Sequence, residues 1–112
     1  MPSSDGKVEI ERLLHAPGRL PISVIITTFN EEINIEDCIR SVLWADEILV
    51  VDSLSTDRTV ELARRHPVKL LEREYFGSAA QKNWSMDRVE NDWVLILDAD
   101  ERLTDDLALE IL

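Results

Sequence analysis

WVLILDADER, residues 93–102, carries the reading of both fold and chemistry. Its strongly apolar run, Trp93 through Leu97, reads as a strand. The run ends in Asp98-Ala99-Asp100-Glu101. Carboxylates this close repel one another and cost stability unless something cationic lies between them. A divalent metal ion would meet that need.

Working upstream, the same alternation recurs. PISVIITT (21–28) is expected as a first buried strand, EILVVD (47–52) as a second and VKLLER (68–73) as a third, with WVLILD (93–98) the fourth. Between them, residues 32–44 place Ile35, Cys38, Ile39, Val42 and Leu43 at helical spacing. A second helix is expected over 56–66, capped by Ser55 or Thr56 with Asp57 in its first turn and stopped by Pro67. Ser78 and Gln81 match a capping box, so a third helix should run over about 79–86. Thr104-Asp105-Asp106 should cap a last one. Residues 1–20, ending in the breaker-rich Ala16-Pro17-Gly18-Arg19-Leu20-Pro21, read as a leader, either a tail or an edge segment, and 21–112 as the folded portion.

Strand and helix alternating in this way imply an α/β fold, an open and mainly parallel sheet with helices on both faces. Ligands bind such sheets at the carboxyl ends of the strands. Thr27 to Glu31, Asp52-Ser53 and Asp98-Ala99-Asp100 should therefore share one rim.

At 112 residues the chain suits one compact domain. Its formal net charge of -11 argues against a nucleic-acid partner, although a metal and a few placed cations can override the global sign within about 10 Å. Cys38 is the single cysteine and sits on the apolar helical stripe, which makes it a core residue and leaves no disulfide or paired-cysteine zinc site. The polar, acidic start is no signal peptide, and no apolar run nears the roughly 20 residues that cross a bilayer. A cytoplasmic setting is expected.

Neither a Gly-x-Gly-x-x-Gly turn nor a Gly-Lys-Ser/Thr phosphate loop follows the first strand, which disfavours dinucleotide oxidoreductases and P-loop enzymes. Asp98 and Asp100 offer hard oxygen donors suited to Mg2+ or Mn2+, which take remaining ligands from water and a diphosphate. An isolated Asp-x-Asp is common in solvated loops; its place after a strongly apolar strand gives it weight. An EF-hand would need a further acid or amide near Arg102 and a glycine after it, and has neither. A phosphatase of the haloacid dehalogenase type fares no better, because its Asp-x-Asp follows the first strand. Asp52 could accept the imide N–H of a nucleobase or merely form a turn, Phe29 could stack on that base or pack in the core, and Glu31 could contact ligand or favour a helix start. Lys82 could face phosphate or solvent. Arg58 is expected on the surface.

With TTFNEE (27–32), VVDSLSTDRT (50–59), GSAAQKNW (77–84) and LILDADER (95–102) in this order, residues 21–112 resemble the N-terminal, donor-binding half of the family 2 inverting glycosyltransferases. These have the Rossmann-like A-type nucleotide-sugar-binding fold, and the branch most resembled is that of lipopolysaccharide-core glucosyltransferases. The resemblance implies a nucleoside-diphosphate-sugar donor, usually UDP-linked, with Thr27, Phe29 and Glu31 around base and ribose and Asp52 on the base. It also implies Asp98 on ribose or metal, Ala99 beside it, Asp100 as principal metal ligand and Lys82 toward the diphosphate. A saccharide or lipid-linked acceptor, at the inner face of the membrane, would complete a cell-envelope reaction. Leu54 stands where the family usually has glycine, so a left-handed backbone there would be strained. The family's general base lies downstream of the Asp-x-Asp, and no catalytic residue is assigned here. If the fourth strand has no further neighbour, VLIL is an open apolar edge that invites self-association, the competing reading of the chain as an association module.

Overall fold

The computed structural model describes residues 4–112, with side chains from residue 6 onward; the first three residues of the expected leader lie outside the described residues. Its elements are α1 (Ser4–Leu14), β1 (Ile22–Thr28), α2 (Ile35–Arg40), β2 (Glu47–Asp52), α3 (Thr59–Ala63), β3 (Lys69–Glu72), α4 (Ser78–Met86), β4 (Trp93–Asp98) and α5 (Asp105–Ile111). The four strands form one parallel sheet in the order β3-β2-β1-β4. The α/β fold with helices on both faces is thus as the alternating pattern implied.

Side-chain parity divides the core. Because successive strand residues point to opposite faces, Val24 and Ile26 of β1, Ile48 and Val50 of β2 and Leu97 of β4 fall on one face. There they pack with Ile10 of α1, Ile35, Cys38 and Ile39 of α2, Leu62 and Ala63 of α3 and Ala108 of α5. Ile25, Leu49 and Val51 fall on the other, beneath Trp84 of α4 and Val89. Fully burying an aliphatic side chain of this size contributes about 1.5–3 kcal/mol relative to leaving it in water. Burial of β1 and β2 on both faces explains their unbroken apolar runs.

Four expectations are corrected. The leader is no tail or edge segment: Ser4–Leu14 is a helix that buries Ile10 and packs against α5. It is fastened to the sheet through Arg19, whose guanidinium donates to both oxygens of Asp46 at 2.8 and 2.9 Å, while Asp46 also accepts from the Ile22 amide at 2.7 Å. The helix expected over 32–44 is regular only over Ile35–Arg40. After it the chain tightens into i→i+3 turns, with the Val42 and Ala45 amides bonding to Ile39 and Val42 carbonyls. The helix expected over 56–66 shortens to Thr59–Ala63, because the Thr56 amide is taken by the Asn30 side chain and Asp57 accepts from the Thr59 amide as a turn former. Lastly, the Ser78/Gln81 capping box does not form. Gly77 precedes α4 with φ 106°, and Gln81 turns toward β2 instead. The Thr104 cap of α5 does form, accepting from the Leu107 amide at 3.2 Å.

Candidate functional site

A cavity of about 290 Å³ opens at the carboxyl ends of the strands, lined by Thr27, Thr28, Phe29, Glu31, Ser53, Tyr75, Ser78, Gln81, Lys82, Asp98, Ala99 and Asp100. Parity builds it. Thr27, Ser53 and Asp98 continue the alternation of Ile25, Val51 and Ile96, so all three lie on the face covered by α4. Thr27 and Asp98 are direct partners in the β1–β4 register, and the Thr27 hydroxyl donates to Asp98 Oδ1 at 2.9 Å.

The loop after β4 is held from several sides. The Ala99 amide bonds to the Thr27 carbonyl at 3.0 Å, and the Asp98 amide donates to Glu101 Oε1 at 2.7 Å. Glu101 is therefore a loop support. Arg102 bonds Asn34 at 3.0 Å and pairs with Asp37 at 3.3 Å, which ties the loop to α2. Cys38 lies beneath, its Sγ 3.8 Å from the Asp98 carbonyl oxygen, and burial pushes its thiol up to about 12. It is a core residue, as its spacing indicated.

The loops after β1 and β2 clasp each other. The Asn30 amide donates to Ser55 Oγ at 2.8 Å, the Thr56 amide to Asn30 Oδ1 at 2.8 Å, the Glu31 amide to Thr59 Oγ1 at 2.9 Å and the Ser53 amide to the Thr28 carbonyl at 2.9 Å. Asn30 and Leu54 hold left-handed backbones, φ 51° and 64°. The strain anticipated at Leu54 is thus real, since leucine lacks the freedom glycine has there.

Of the expected site residues, Thr27, Phe29, Glu31, Lys82, Asp98, Ala99 and Asp100 meet at this cavity. Phe29 is 56% exposed, which excludes core packing and leaves its ring face free. Glu31 spends one oxygen on the Asn34 amide group at 2.9 Å. Lys82 is exposed and has no ion-pair partner among the described residues. Arg58 lies at the surface, paired with Glu61.

Asp52 is the exception. It is fully buried on the opposite face of β2, and its carboxylate accepts from the Ser55 amide at 2.8 Å and the Ser55 hydroxyl at 2.5 Å. It shapes the turn that presents Ser53, and it does not line the cavity. The base-acceptor role expected of it is corrected on that ground. Thr28 and Ser53 line the cavity as their place on the rim implied, whereas Tyr75, Ser78 and Gln81 were missed as lining residues; period-two alternation from Val51 was the signal that would have preferred Ser53 to Asp52.

Among the described residues, no group of three or more His, Cys, Asp or Glu side chains could hold a metal alone. Asp98 and Asp100 still fit Mg2+ or Mn2+, because these ions are commonly held by one or two carboxylates together with water and substrate phosphate. Asp98 keeps one oxygen beyond its bond to Thr27, and Asp100 keeps its whole carboxylate.

The sequence model of "Glycosyl transferase family 2" matches residues 23–112. An uncharacterised glycosyltransferase of Rickettsia bellii is 44% identical over 91 residues, 80% of this chain and 31% of that protein. The lipopolysaccharide core biosynthesis glycosyltransferase LpsC of Rhizobium meliloti is 36% identical over 76% of this chain and 33% of its own length. Among solved structures, glucosyl-3-phosphoglycerate synthase of Mycobacterium tuberculosis in complex with UDP superposes with a TM-score of 0.71 at 30% identity, covering 82% of this chain and 38% of that one. The same enzyme with Mn2+, UDP and glucosyl-3-phosphoglycerate gives 0.70 at 28% identity, over 83% and 39%. The chain spans about a third of the length of the curated relatives it matches. On the family match over most of its length, this chain belongs to glycosyl transferase family 2.

Proposed function

We propose that this chain is the donor-binding portion of an inverting glycosyltransferase that uses a nucleoside-diphosphate sugar, UDP-linked, in the synthesis of cell-envelope polysaccharide or lipopolysaccharide. The observation that carries the reading is the convergence of Thr27, Phe29, Ser53, Lys82, Asp98 and Asp100 on one cavity at the strand ends. Phe29 offers a ring face to the base, and Thr27 orients Asp98. Lys82 supplies an unpaired ammonium for the diphosphate. Asp98 and Asp100 would hold Mg2+ or Mn2+, which when bound stabilises negative charge on a departing diphosphate. The LpsC likeness supports a saccharide or lipid-linked acceptor. A cytoplasmic setting, at the inner face of the membrane, accords with that acceptor class; no described helix is long and apolar enough to cross a bilayer.

No residue here is assigned as general base, a group that must reach the acceptor hydroxyl. The chain is expected to bind nucleotide and to transfer little sugar. Calorimetric titration with UDP should give a heat of binding in the presence of Mn2+ that disappears with EDTA; UDP binding indifferent to EDTA would overturn the metal-shared site.

The association reading keeps one observation in its favour. β4 is an edge of the sheet, and its Trp93 is 60% exposed. Sedimentation of a monomer at high protein concentration would dismiss it, and Mn2+-dependent UDP affinity separates the two readings.

A further inference from the structure

Gln81 of α4 is 3% exposed, yet it lines the cavity. Its Nε2 donates to Ser53 Oγ at 3.2 Å, while its Oε1 has no hydrogen-bond partner among the described residues. Thr28 is similar: it is 5% exposed, lines the same cavity, and its hydroxyl has no partner among the described residues. Buried polar atoms are nearly always satisfied, and leaving one unpaired costs stability. Two such atoms in one cavity point to a ligand that supplies the missing partners.

Strand order says which part of the ligand. Ser53 follows β2, Asp98 ends β4, and β1 lies between them. With neighbouring strands about 4.8 Å apart, the Gln81–Ser53 end lies roughly 10 Å from the acidic end. If the acids and their metal take the diphosphate, the base falls at the Gln81–Ser53 end.

We propose that Gln81 determines base specificity, its Oε1 accepting an N–H from the edge of the donor's nucleobase while Ser53 fixes the amide's orientation. This rests on the nucleotide-sugar reading of the cavity. A carbonyl acceptor suits the imide N–H of uracil. Cytosine presents a lone pair at the same ring position, which would face that oxygen and repel it.

The test is calorimetric titration of the chain with UDP, CDP and inorganic pyrophosphate, all with Mn2+. The native chain should bind UDP about tenfold more tightly than CDP, the size of one neutral hydrogen bond. Gln81→Leu should bring UDP down to the level of CDP and leave pyrophosphate unchanged. Independently of any variant, the Gln81 side-chain amide resonances should shift on adding UDP with Mg2+ and stay put with pyrophosphate. UDP binding without preference, a preference for CDP, a preference that survives Gln81→Leu, or unmoved Gln81 resonances would each overturn the assignment while leaving the nucleotide site intact. If the native chain binds neither UDP nor pyrophosphate, the site reading itself fails, and the Gln81 role with it.

Discussion

Replacing Asp52 by alanine separates a turn-forming carboxylate from a ligand contact. In the native chain Asp52 is fully buried and accepts the Ser55 amide and hydroxyl at 2.8 and 2.5 Å. Ser55 in turn accepts the Asn30 amide, so one side chain anchors the clasp between two loops. Hydrogen bonds to a charged acceptor contribute roughly 1.5–3 kcal/mol each. Losing both, with some relief from no longer burying a charge, should cost about 3 kcal/mol. That is a large share of the roughly 5–15 kcal/mol that holds a domain of this size together. At a urea m-value of about 1.5 kcal/mol/M the unfolding midpoint should fall by about 2 M. Asp52→Asn, which retains an acceptor for the Ser55 amide, should lose about half as much. UDP affinity, measured well below the midpoint, should weaken only in step with the disturbed loop. An alanine variant as stable as the native chain but unable to bind UDP would refute this reasoning and restore Asp52 as a base contact.

Leu54→Gly should stabilise the chain by about 0.5 kcal/mol, a rise of a few degrees in Tm, because a left-handed leucine costs roughly 1–2 kcal/mol and glycine's freedom when unfolded takes back up to about 1; an unchanged or lower Tm would show that the turn carries no strain. Asp46 has its carboxyl held down to about 2 by the Arg19 guanidinium, with the Ile22 amide assisting. A carboxylate depressed when folded stabilises above its unfolded pKa, near 3.8, and loses that contribution as pH falls toward 2. Asp46→Asn should therefore cost about 1 kcal/mol at pH 7, after allowance for solvent screening, and almost nothing near pH 2. A constant difference across that window in urea titrations would contradict the pairing. The Cys38 thiol, with its ionisation pushed up to about 12 by burial, should resist alkylation at pH 8 until the chain unfolds. Labelling that outpaces unfolding would place it outside the core.

The sheet was legible because its signal is redundant: β2 and β4 span the residues that their apolar runs marked, and β3 differs only at its ends. Helix lengths were harder to read. The amides of Thr56 and Glu31 belong to side chains from distant segments, Asn30 and Thr59, and nothing local announces those partners. The leader helix escaped notice because Ile10 joins a core cluster built from segments remote in sequence, with α5, nearly a hundred residues away, as a packing partner of the helix. The rim of the site was readable from strand ends alone, and seven of the eight expected residues line the cavity. Asp52 failed because β2 is buried on both faces, so its composition hides the alternation that decides which of Asp52 and Ser53 faces α4. Gln81 looked like half of a cap because local spacing cannot distinguish a bond to its own helix from one to Ser53.

Central to this account is a single cation shared by Asp98, Asp100 and a nucleotide's phosphates. Titrating Mn2+ into the isotope-labelled chain and following paramagnetic broadening tests it directly. With UDP present, broadening should begin at Asp98 to Glu101 and spread to Thr27 and Lys82, and it should weaken sharply when UDP is left out or Asp100 is changed to asparagine. Broadening centred on other acidic groups, or unchanged by UDP and by Asp100→Asn, would contradict it.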